Sequence, residues 1–126
     1  MPLGRAPFSR ASATGSQEAM KRYEIRWARL DPVEGSEIGK RRPVVIISLD
    51  VFNGRLDTVT VCPITSKLHP AWRTRLQITC AGQRAEIAVD QIRTVAKSRL
   101  GSSLGHLDVK EAAGLRDLIV ELYGRP

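Results

Sequence analysis

Cysteine and histidine are scarce in this chain of 126 residues, with two of each. Cys62 and Cys80 form neither a zinc-binding pattern nor the disulfide framework of a small secreted domain. We therefore expect both to be buried, reduced side chains that pack like small apolar residues. His69 and His106 stand alone in the sequence, so no pair or triplet of histidines offers a metal site. Any catalysis is accordingly predicted to need neither a metal nor another cofactor.

Long apolar runs are also missing, since no stretch approaches the length that crosses a membrane. Residues 1–19 are rich in Ser, Ala, Gly and Pro, and they lack the continuous apolar core of a secretory signal. This composition predicts a disordered extension at residues 1–19, followed by a single domain at residues 20–126. The expected location is the cytoplasm.

Acidic residues are fewer than basic ones, and the net charge is +7. The excess lies within residues 21–99, which carry fifteen Lys and Arg against eight Asp and Glu. Residues 100–126 carry three basic against four acidic side chains. A basic domain body suggests a polyanion or an acidic protein as partner, or only a well-solvated surface, and charge alone does not separate these alternatives.

Short alternating or β-branched segments dominate the middle of the chain, and turn residues separate them. In the first segment, Ile25 and Trp27 alternate with Glu24, Arg26 and Ala28. This pattern predicts many short strands, which argues against a doubly wound sheet. The predicted strands lie at residues 23–30, 42–49, 58–64, 73–79, 85–90 and 103–107, with turns at 53–54 and 81–83.

A helix is predicted at the C-terminal end. Asp108 and Glu111 have the spacing of a capping box, in which each side chain accepts from an amide of the other residue. An apolar stripe follows and stops before Gly124; it consists of Ala112, Leu115, Ile119 and Leu122. The stripe can face either the sheet or a second subunit. The predicted fold class is mainly β, a small barrel closed by one C-terminal helix.

The most informative motif combines a bend with a strand entrance: Gly35-Ser36-Glu37, then Arg42-Pro43 and the β-branched residues 44–47. Gly35 allows backbone conformations that other residues avoid, and Pro43 fixes φ at the start of an extended segment. Arg42 is therefore expected at the rigid end of a strand. A catalytic group is best held in such a place.

Five short motifs follow one another along residues 21–124: Leu30-Asp31-Pro32, Gly35-Ser36-Glu37, Arg42-Pro43, Pro63-Ile64-Thr65-Ser66 and Asp90-Gln91-Ile92-Arg93-Thr94. In this order and spacing they resemble the MazF/PemK-type toxins of bacterial toxin–antitoxin pairs. The resemblance implies an SH3-like β-barrel, a homodimer and a ribosome-independent endoribonuclease that cuts single-stranded mRNA at a short sequence. It also implies a cognate MazE-like antitoxin whose acidic tail occupies the RNA groove. The first strand departs from the family, because Tyr23-Glu24 stands where most members have Gly followed by an acid.

A second departure selects between branches of the family. One plasmid-borne branch places an arginine two residues before the position of Asp90, and a histidine at the position of Ser36. Ala88 and Ser36 occupy these positions here. The resemblance therefore points to the chromosomal branch, in which the residues matching Arg42 and Thr65 carry the reaction.

RNA cleavage through its own 2′-hydroxyl needs removal of a proton, stabilisation of negative charge and protonation of the leaving oxygen. The guanidinium of Arg42 suits the second task, and the hydroxyl of Thr65 can donate to a phosphate oxygen. With a pKa above about 12, an arginine is a poor base. Glu37 is the better candidate for proton transfer; alternatively it forms a salt bridge with Arg42. Asp90 is a third candidate, or a structural acceptor for backbone amides.

Substrate binding is expected on the loops at residues 31–41 and 66–72. Basic side chains there would contact phosphates, and polar ones would read the edges of unstacked bases. Trp72 could stack on a base or dock onto its own domain. The predicted substrate-binding residues are Ser36, Lys40, Arg41, Ser66, Lys67, Asp90 and Gln91.

Two other functions fit a chain of this kind. A non-catalytic SH3-like or Sm-like RNA-binding barrel would depend on charge, and Arg42 and Thr65 would be individually dispensable. A CcdB-like toxin directed at DNA gyrase would act through its C-terminal residues. Residues 121–126 lack the terminal, tryptophan-centred signature of those relatives.

Overall fold

The computed structural model describes residues 20–125 of the chain. It shows seven strands, a one-turn helix and a long C-terminal helix. The strands are β1 (Glu24–Arg29), β2 (Arg41–Ile46), β3 (Thr58–Thr65), β4 (Arg75–Cys80), β5 (Gln83–Ala88), β6 (Arg93–Ala96) and β7 (Leu100–His106). The helices are α1 (Asp50–Asn53) and α2 (Val109–Tyr123), and 3-10 turns lie at Val89–Gln91 and Lys97–Arg99. The predicted mainly β fold with a terminal helix is confirmed, whereas the predicted extension at residues 1–19 lies outside the described residues.

All strand pairs are antiparallel, and the order across the sheet is β4-β5-β3-β2-β1-β7. The long strand β3 changes partner along one edge. Its residues 58–61 pair with β6, and Ile64 and Thr65 pair with β5. This change of partner curls the sheet into a half-barrel, in agreement with the small β-barrel that the sequence predicted.

Two apolar clusters bury both faces of the central strands. Val45 belongs to the cluster beneath α2, and its neighbours Val44 and Ile46 belong to a cluster on the opposite face. The predicted alternation in β1 is wrong in this respect. Glu24 and Arg26 are buried there as an ion pair at 3.1 Å.

The start of β1 keeps the geometry that a glycine would adopt. Tyr23 stands directly before the strand with a φ of +71°, in the left-handed region. Its backbone NH donates to Ile46 O at 2.6 Å, and its carbonyl accepts from Leu107 N at 3.0 Å. The departure from the family's glycine therefore changes the side chain and leaves the main chain bound to both neighbouring segments.

The capping box at the start of α2 is confirmed. Asp108 Oδ1 accepts from Glu111 N at 2.6 Å, and Glu111 Oε1 accepts from Asp108 N at 3.1 Å. The second oxygen of Glu111 also accepts from Thr79 N at 3.0 Å, which fastens the helix to β4. Ala112 and Leu115 are buried in the cluster shared with β4 and β5. The apolar stripe thus faces the sheet.

Three local predictions are corrected. The turn predicted at residues 53–54 is the end of the one-turn helix α1, in which Asn53 is buried and donates to Ser48 O at 3.0 Å. Strand β6 was not predicted. The strand predicted at residues 85–90 ends at Ala88, and Asp90 lies in a 3-10 turn. No helix among residues 20–125 is long and apolar enough to cross a membrane.

Candidate active site

A cleft of about 760 Å³ opens on the face of β4 and β5 that lies opposite α2. Ala85 and Ile87 pack in the cluster beneath α2, so Glu86 between them points the other way. The cleft collects nine of the ten predicted site residues: Ser36, Glu37, Lys40, Arg42, Thr65, Ser66, Lys67, Asp90 and Gln91. Residues separated by more than fifty positions in sequence therefore meet at one surface.

Strand register aligns polar side chains across the floor of this cleft. Val44 pairs with Pro63, and the same register continued by two residues brings Arg42 level with Thr65. Thr65 pairs with Glu86, and Glu86 pairs with Gln77. Paired residues in an antiparallel sheet share a face. The four strands β2, β3, β5 and β4 thus each contribute one polar residue to a row.

Arg42 and Thr65 are both held in place. The half-buried guanidinium of Arg42 donates through Nε to Gly39 O at 3.0 Å, which leaves its terminal nitrogens for other partners. Thr65 is buried, and its Oγ1 accepts from Lys67 N at 3.1 Å. The hydroxyl hydrogen of Thr65 therefore remains available as a donor. The expected position of Arg42 at the end of a strand is confirmed.

The loop at residues 31–40 is shaped by its glycines and by Asp31. Gly35 has a φ of +57°, as expected of the bend. A Cβ on Gly39 would lie 2.6 Å from Val33 Cγ2 and closer still to Asp31 Oδ1, so no other residue fits there without displacing the loop. The same Oδ1 accepts from Lys40 N at 2.8 Å. These contacts set the position of the carbonyl that holds Arg42.

Glu37 does not pair with Arg42. Its Oε1 accepts from Glu34 N at 2.7 Å and closes a turn within the loop. Among residues 20–125, no ion pair joins its carboxylate to a basic side chain. The alternative role predicted for Glu37, a salt bridge that positions Arg42, is therefore wrong. Glu37 is exposed at the rim of the cleft.

Asp90 has a side-chain partner in place of the predicted backbone amides. Its Oδ1 accepts from Arg75 Nε at 2.9 Å, and the other side of that guanidinium donates to Glu86 Oε2 at 2.7 Å. Arg75 thus bridges two carboxylates. Although burial alone would lower the pKa of Arg75, the hydrogen bonds to Asp90 and Glu86 raise it above its ordinary value.

Glu86 is one of the residues that sequence reasoning missed. It is fully buried, and its carboxylate accepts from His69 N at 2.6 Å, Gln77 Nε2 at 2.8 Å and Arg75 Nη1 at 2.7 Å. Burial favours the protonated acid, but these donors outweigh it and lower the pKa to about 2. The only sequence signal was an acid in a strand between Ala85 and Ile87.

Two predicted binding residues, Gln91 and Arg41, have further partners, and so does Trp72. Gln91 Oε1 accepts from Ile38 N at 2.6 Å, and its Nε2 donates to Ser36 O at 3.3 Å, so this amide ties the loop to the cleft. Arg41 lies outside the cleft and stacks on Trp27, with 4.4 Å between Cζ and the ring centroid. Trp72 docks onto its own domain against His69, with ring centroids 3.9 Å apart, and about half of it stays exposed.

Both cysteines are free and buried, as predicted. Burial, and secondarily the charge of Asp90, raises the pKa of Cys62 to about 12, so its thiol stays protonated at neutral pH. No group of three His, Cys, Asp or Glu within residues 20–125 is placed to hold a metal ion.

Comparison with known proteins agrees with the fold and the motifs. Residues 21–122 match the family model described as PemK-like, MazF-like toxin of type II toxin–antitoxin system. The chain is 36% identical over 114 residues to endoribonuclease MazF9 of Mycobacterium tuberculosis, which covers 79% of this chain and 92% of the relative. MazF from Deinococcus radiodurans superposes with a TM-score of 0.74 at 23% identity, covering 83% of this chain and 96% of that one. A MazE–MazF complex from the same organism gives a TM-score of 0.68 at 22% identity, with 84% and 97% covered.

The family match spans the whole described sheet and most of α2, and it includes every motif that lines the cleft. This chain belongs to the family of PemK-like, MazF-like toxins of type II toxin–antitoxin systems.

Proposed function

We propose that this chain is a sequence-specific, ribosome-independent endoribonuclease toxin that cuts single-stranded mRNA without a metal ion. The observation that carries the proposal is the meeting of Arg42 and Thr65 at the ends of neighbouring strands, over a cleft of about 760 Å³. Relatives that are 36–37% identical to this chain carry the name endoribonuclease. The proposed toxin domain is residues 20–126, and its proposed location is the cytoplasm.

In the proposed reaction the 2′-oxygen of a ribose attacks the adjacent phosphorus and the bond from phosphorus to the 5′-oxygen breaks. The products are a 2′,3′-cyclic phosphate and a 5′-hydroxyl. Arg42 holds two phosphate oxygens through its free terminal nitrogens, and Thr65 donates its hydroxyl to one of them. Preorganised donors aimed at developing charge are each worth about 3–4 kcal/mol.

The walls of the cleft suit a single strand. Lys40 and Lys67 line it and are placed to contact flanking phosphates, which adds affinity without sequence preference. Ser36 and Ser66 line the same space and offer hydroxyls to base edges. The exposed part of Trp72 offers a ring on which a base can stack. Glu37 remains a candidate for proton transfer at the rim.

The proposed assembly is a homodimer that an antitoxin neutralises. The MazE–MazF complex shares this fold, and the body of this chain carries the excess of basic residues. An acidic, flexible antitoxin segment would be attracted to the same cleft as RNA and would exclude it by competition.

The test is cleavage of a long single-stranded RNA in the presence of EDTA, with cut sites mapped by primer extension. We expect wild type to cut at one short motif. We expect Arg42→Ala to lose about 10²–10³-fold in rate, as removal of one charge-stabilising donor does elsewhere. Arg116→Ala removes an exposed guanidinium from α2 and serves as the matched control, which retains wild-type cutting.

Each other outcome points to a different function. Salt-sensitive RNA binding without cutting would identify a non-catalytic RNA-binding barrel. A protein that neither binds nor cuts RNA would instead support a CcdB-like toxin directed at gyrase. Cutting that survives in Arg42→Ala would contradict the assigned role of this arginine.

A further inference from the structure

His69 is held at the cleft by one carboxylate through two contacts. Its backbone NH donates to Glu86 Oε1 at 2.6 Å, and its ring Nδ1 lies 3.3 Å from Glu86 Oε2. The ring also stacks on Trp72. Its side chain is 25% exposed and lines the same cleft as Arg42 and Thr65. Main chain and ring are thus fixed together at the place where the substrate phosphate is proposed to bind.

Glu86 is an ionised partner under all ordinary conditions. Burial opposes its charge, but three further donors keep its pKa near 2. Arg75 Nη1 also lies 3.4 Å from Nδ1, but this nitrogen makes its shorter bond, of 2.7 Å, to Glu86 Oε2. The carboxylate facing Nδ1 therefore favours the imidazole tautomer that carries its proton on that nitrogen. The lone pair is then on Nε2. A carboxylate that orients a histidine in this way is the arrangement that general bases use.

The other side chains of the site are less suited to accept the proton of the 2′-hydroxyl. Arg42 carries a guanidinium, which suits charge stabilisation better than proton transfer, and the Thr65 hydroxyl serves as a donor to phosphate. Glu37 Oε1 already accepts from Glu34 N within its own loop, so Glu37 is the weaker of the two candidates for the base. We propose that His69 is a catalytic residue, the general base that takes the proton of the attacking 2′-hydroxyl, and that Glu86 is its positioning residue. This inference rests on the proposed ribonuclease function.

The step balances without a further reactant. As the 2′-oxygen bonds to phosphorus, its proton passes to Nε2 of neutral His69. The bond from phosphorus to the 5′-oxygen breaks, and that oxygen takes a proton from water. The resulting imidazolium is stabilised by Glu86, and it returns its proton to the hydroxide formed from water. The charged groups around the ring are Glu86 and Arg75 in contact with it, Asp90 behind Arg75, and Lys67 and Arg42 across the cleft.

The kinetic test compares wild type with His69→Gln on an RNA that contains one cut site. We expect kcat to fall about 10²–10⁴-fold while KM changes little, because the proton acceptor is lost and the phosphate contacts remain. For wild type, kcat rises with pH as the imidazole loses its proton, and this limb is absent in His69→Gln. His106→Gln is the matched control, since His106 is exposed on β7 outside the cleft and its loss leaves the rate unchanged. Added imidazole is expected to restore part of the activity of His69→Gly.

A second readout follows the ring without catalysis. A protonated imidazole stacked at 3.9 Å quenches the fluorescence of Trp72, whereas the guanidinium of Arg75 over the same ring stays charged throughout. In a Trp27→Phe variant, which leaves Trp72 as the only tryptophan, the fluorescence titration is expected to have the same midpoint as the limb in kcat.

The possible results distinguish the role of His69 from the proposed ribonuclease function. A wild type that cuts RNA, together with a His69→Gln variant that cuts equally well or keeps the pH limb, would overturn the role of His69 and leave the ribonuclease intact. A rate that falls as the imidazole loses its proton would also overturn the role as a base. A wild type that does not cut would remove the proposed function itself.

Discussion

A single side chain, Glu86, links the strands on which the cleft is built. Its partners come from β4 and from the loop after β3, and none of them is within eight residues in sequence. A buried carboxylate that loses its donors is strongly destabilising, since an uncompensated charge would be left in the interior. Glu86 is therefore expected to matter for the fold as well as for His69.

Acid should destabilise the protein through Glu86. Its pKa is lowered from 4.5 to about 2 in the folded chain, so the unfolded chain binds a proton more readily. The stabilising contribution is complete above about pH 4.5 and is lost as the pH falls toward 2; at most it is on the order of 3 kcal/mol. Urea denaturation between pH 7 and pH 3 measures this loss.

The comparison is with Glu86→Gln, which is expected to be less stable at pH 7 and to lose less stability on acidification. Asp117→Asn removes an exposed carboxylate from α2 and should follow the wild-type profile. Parallel profiles for wild type and Glu86→Gln would show that this carboxyl does not govern the acid limb.

Sequence reasoning found the residues that belong to contiguous motifs and missed those that do not. Arg42 and Thr65 were predicted because each sits inside a short recognisable string. Arg75, Glu86 and His69 carry no such signal, because they come together only through the pairing of β4 with β5 and the path of the following loop. The identity of a residue alone does not show which residue of a neighbouring strand it pairs with.

At the scale of elements, the β4–β5 hairpin has the tightest connection in the sheet. Cys80 pairs with Gln83, so only Ala81 and Gly82 turn the chain. Their φ angles are +52° and +80°, the pattern of a type I′ turn. Alanine is poorly suited to the first position, because its Cβ is strained in the left-handed region.

Ala81→Asn is expected to stabilise the protein by about 0.5–1 kcal/mol, since Asn-Gly is the favoured pair for this turn. Thermal denaturation should show a rise in Tm of a few degrees. Gly82→Ala places a side chain at the larger positive φ and should lower Tm. An Ala81→Asn variant no more stable than wild type would show that the turn relaxes at no cost.

Elements with local signals were predicted well. Helix α2 was predicted because Asp108 and Glu111 form a capping-box pattern at its start, and most strands were predicted from β-branched runs. Strand β6 was missed because it is only four residues long, overlaps the last two residues of a recognised motif and is defined by its pairing with β3. The one-turn helix α1 was missed because its stop, Asn53-Gly54, is equally typical of a hairpin turn.

At the scale of the whole molecule, we expect RNA and an acidic antitoxin segment to compete for one cleft. The basic excess lies in residues 21–99, which hold every residue that lines it. Occupation by one polyanion should therefore exclude the other.

The purified acidic antitoxin is expected to abolish RNA cleavage at saturation, and the inhibition should weaken as salt is raised, because the attraction is largely electrostatic. The measurement is the cleavage rate against antitoxin concentration at two ionic strengths. A version of the antitoxin segment with its acids changed to amides serves as the control. Undiminished cutting at saturating antitoxin would contradict the shared site.

The row of polar side chains across β2, β3, β5 and β4 has a consequence for the synthesis of the protein. Arg42 and Thr65 are translated first, but Gln77 and Glu86, which complete the row, follow much later. A nascent chain that has not yet released β5 from the ribosome therefore has no assembled cleft. We expect the RNA-cutting surface to form only after most of the polypeptide has been made.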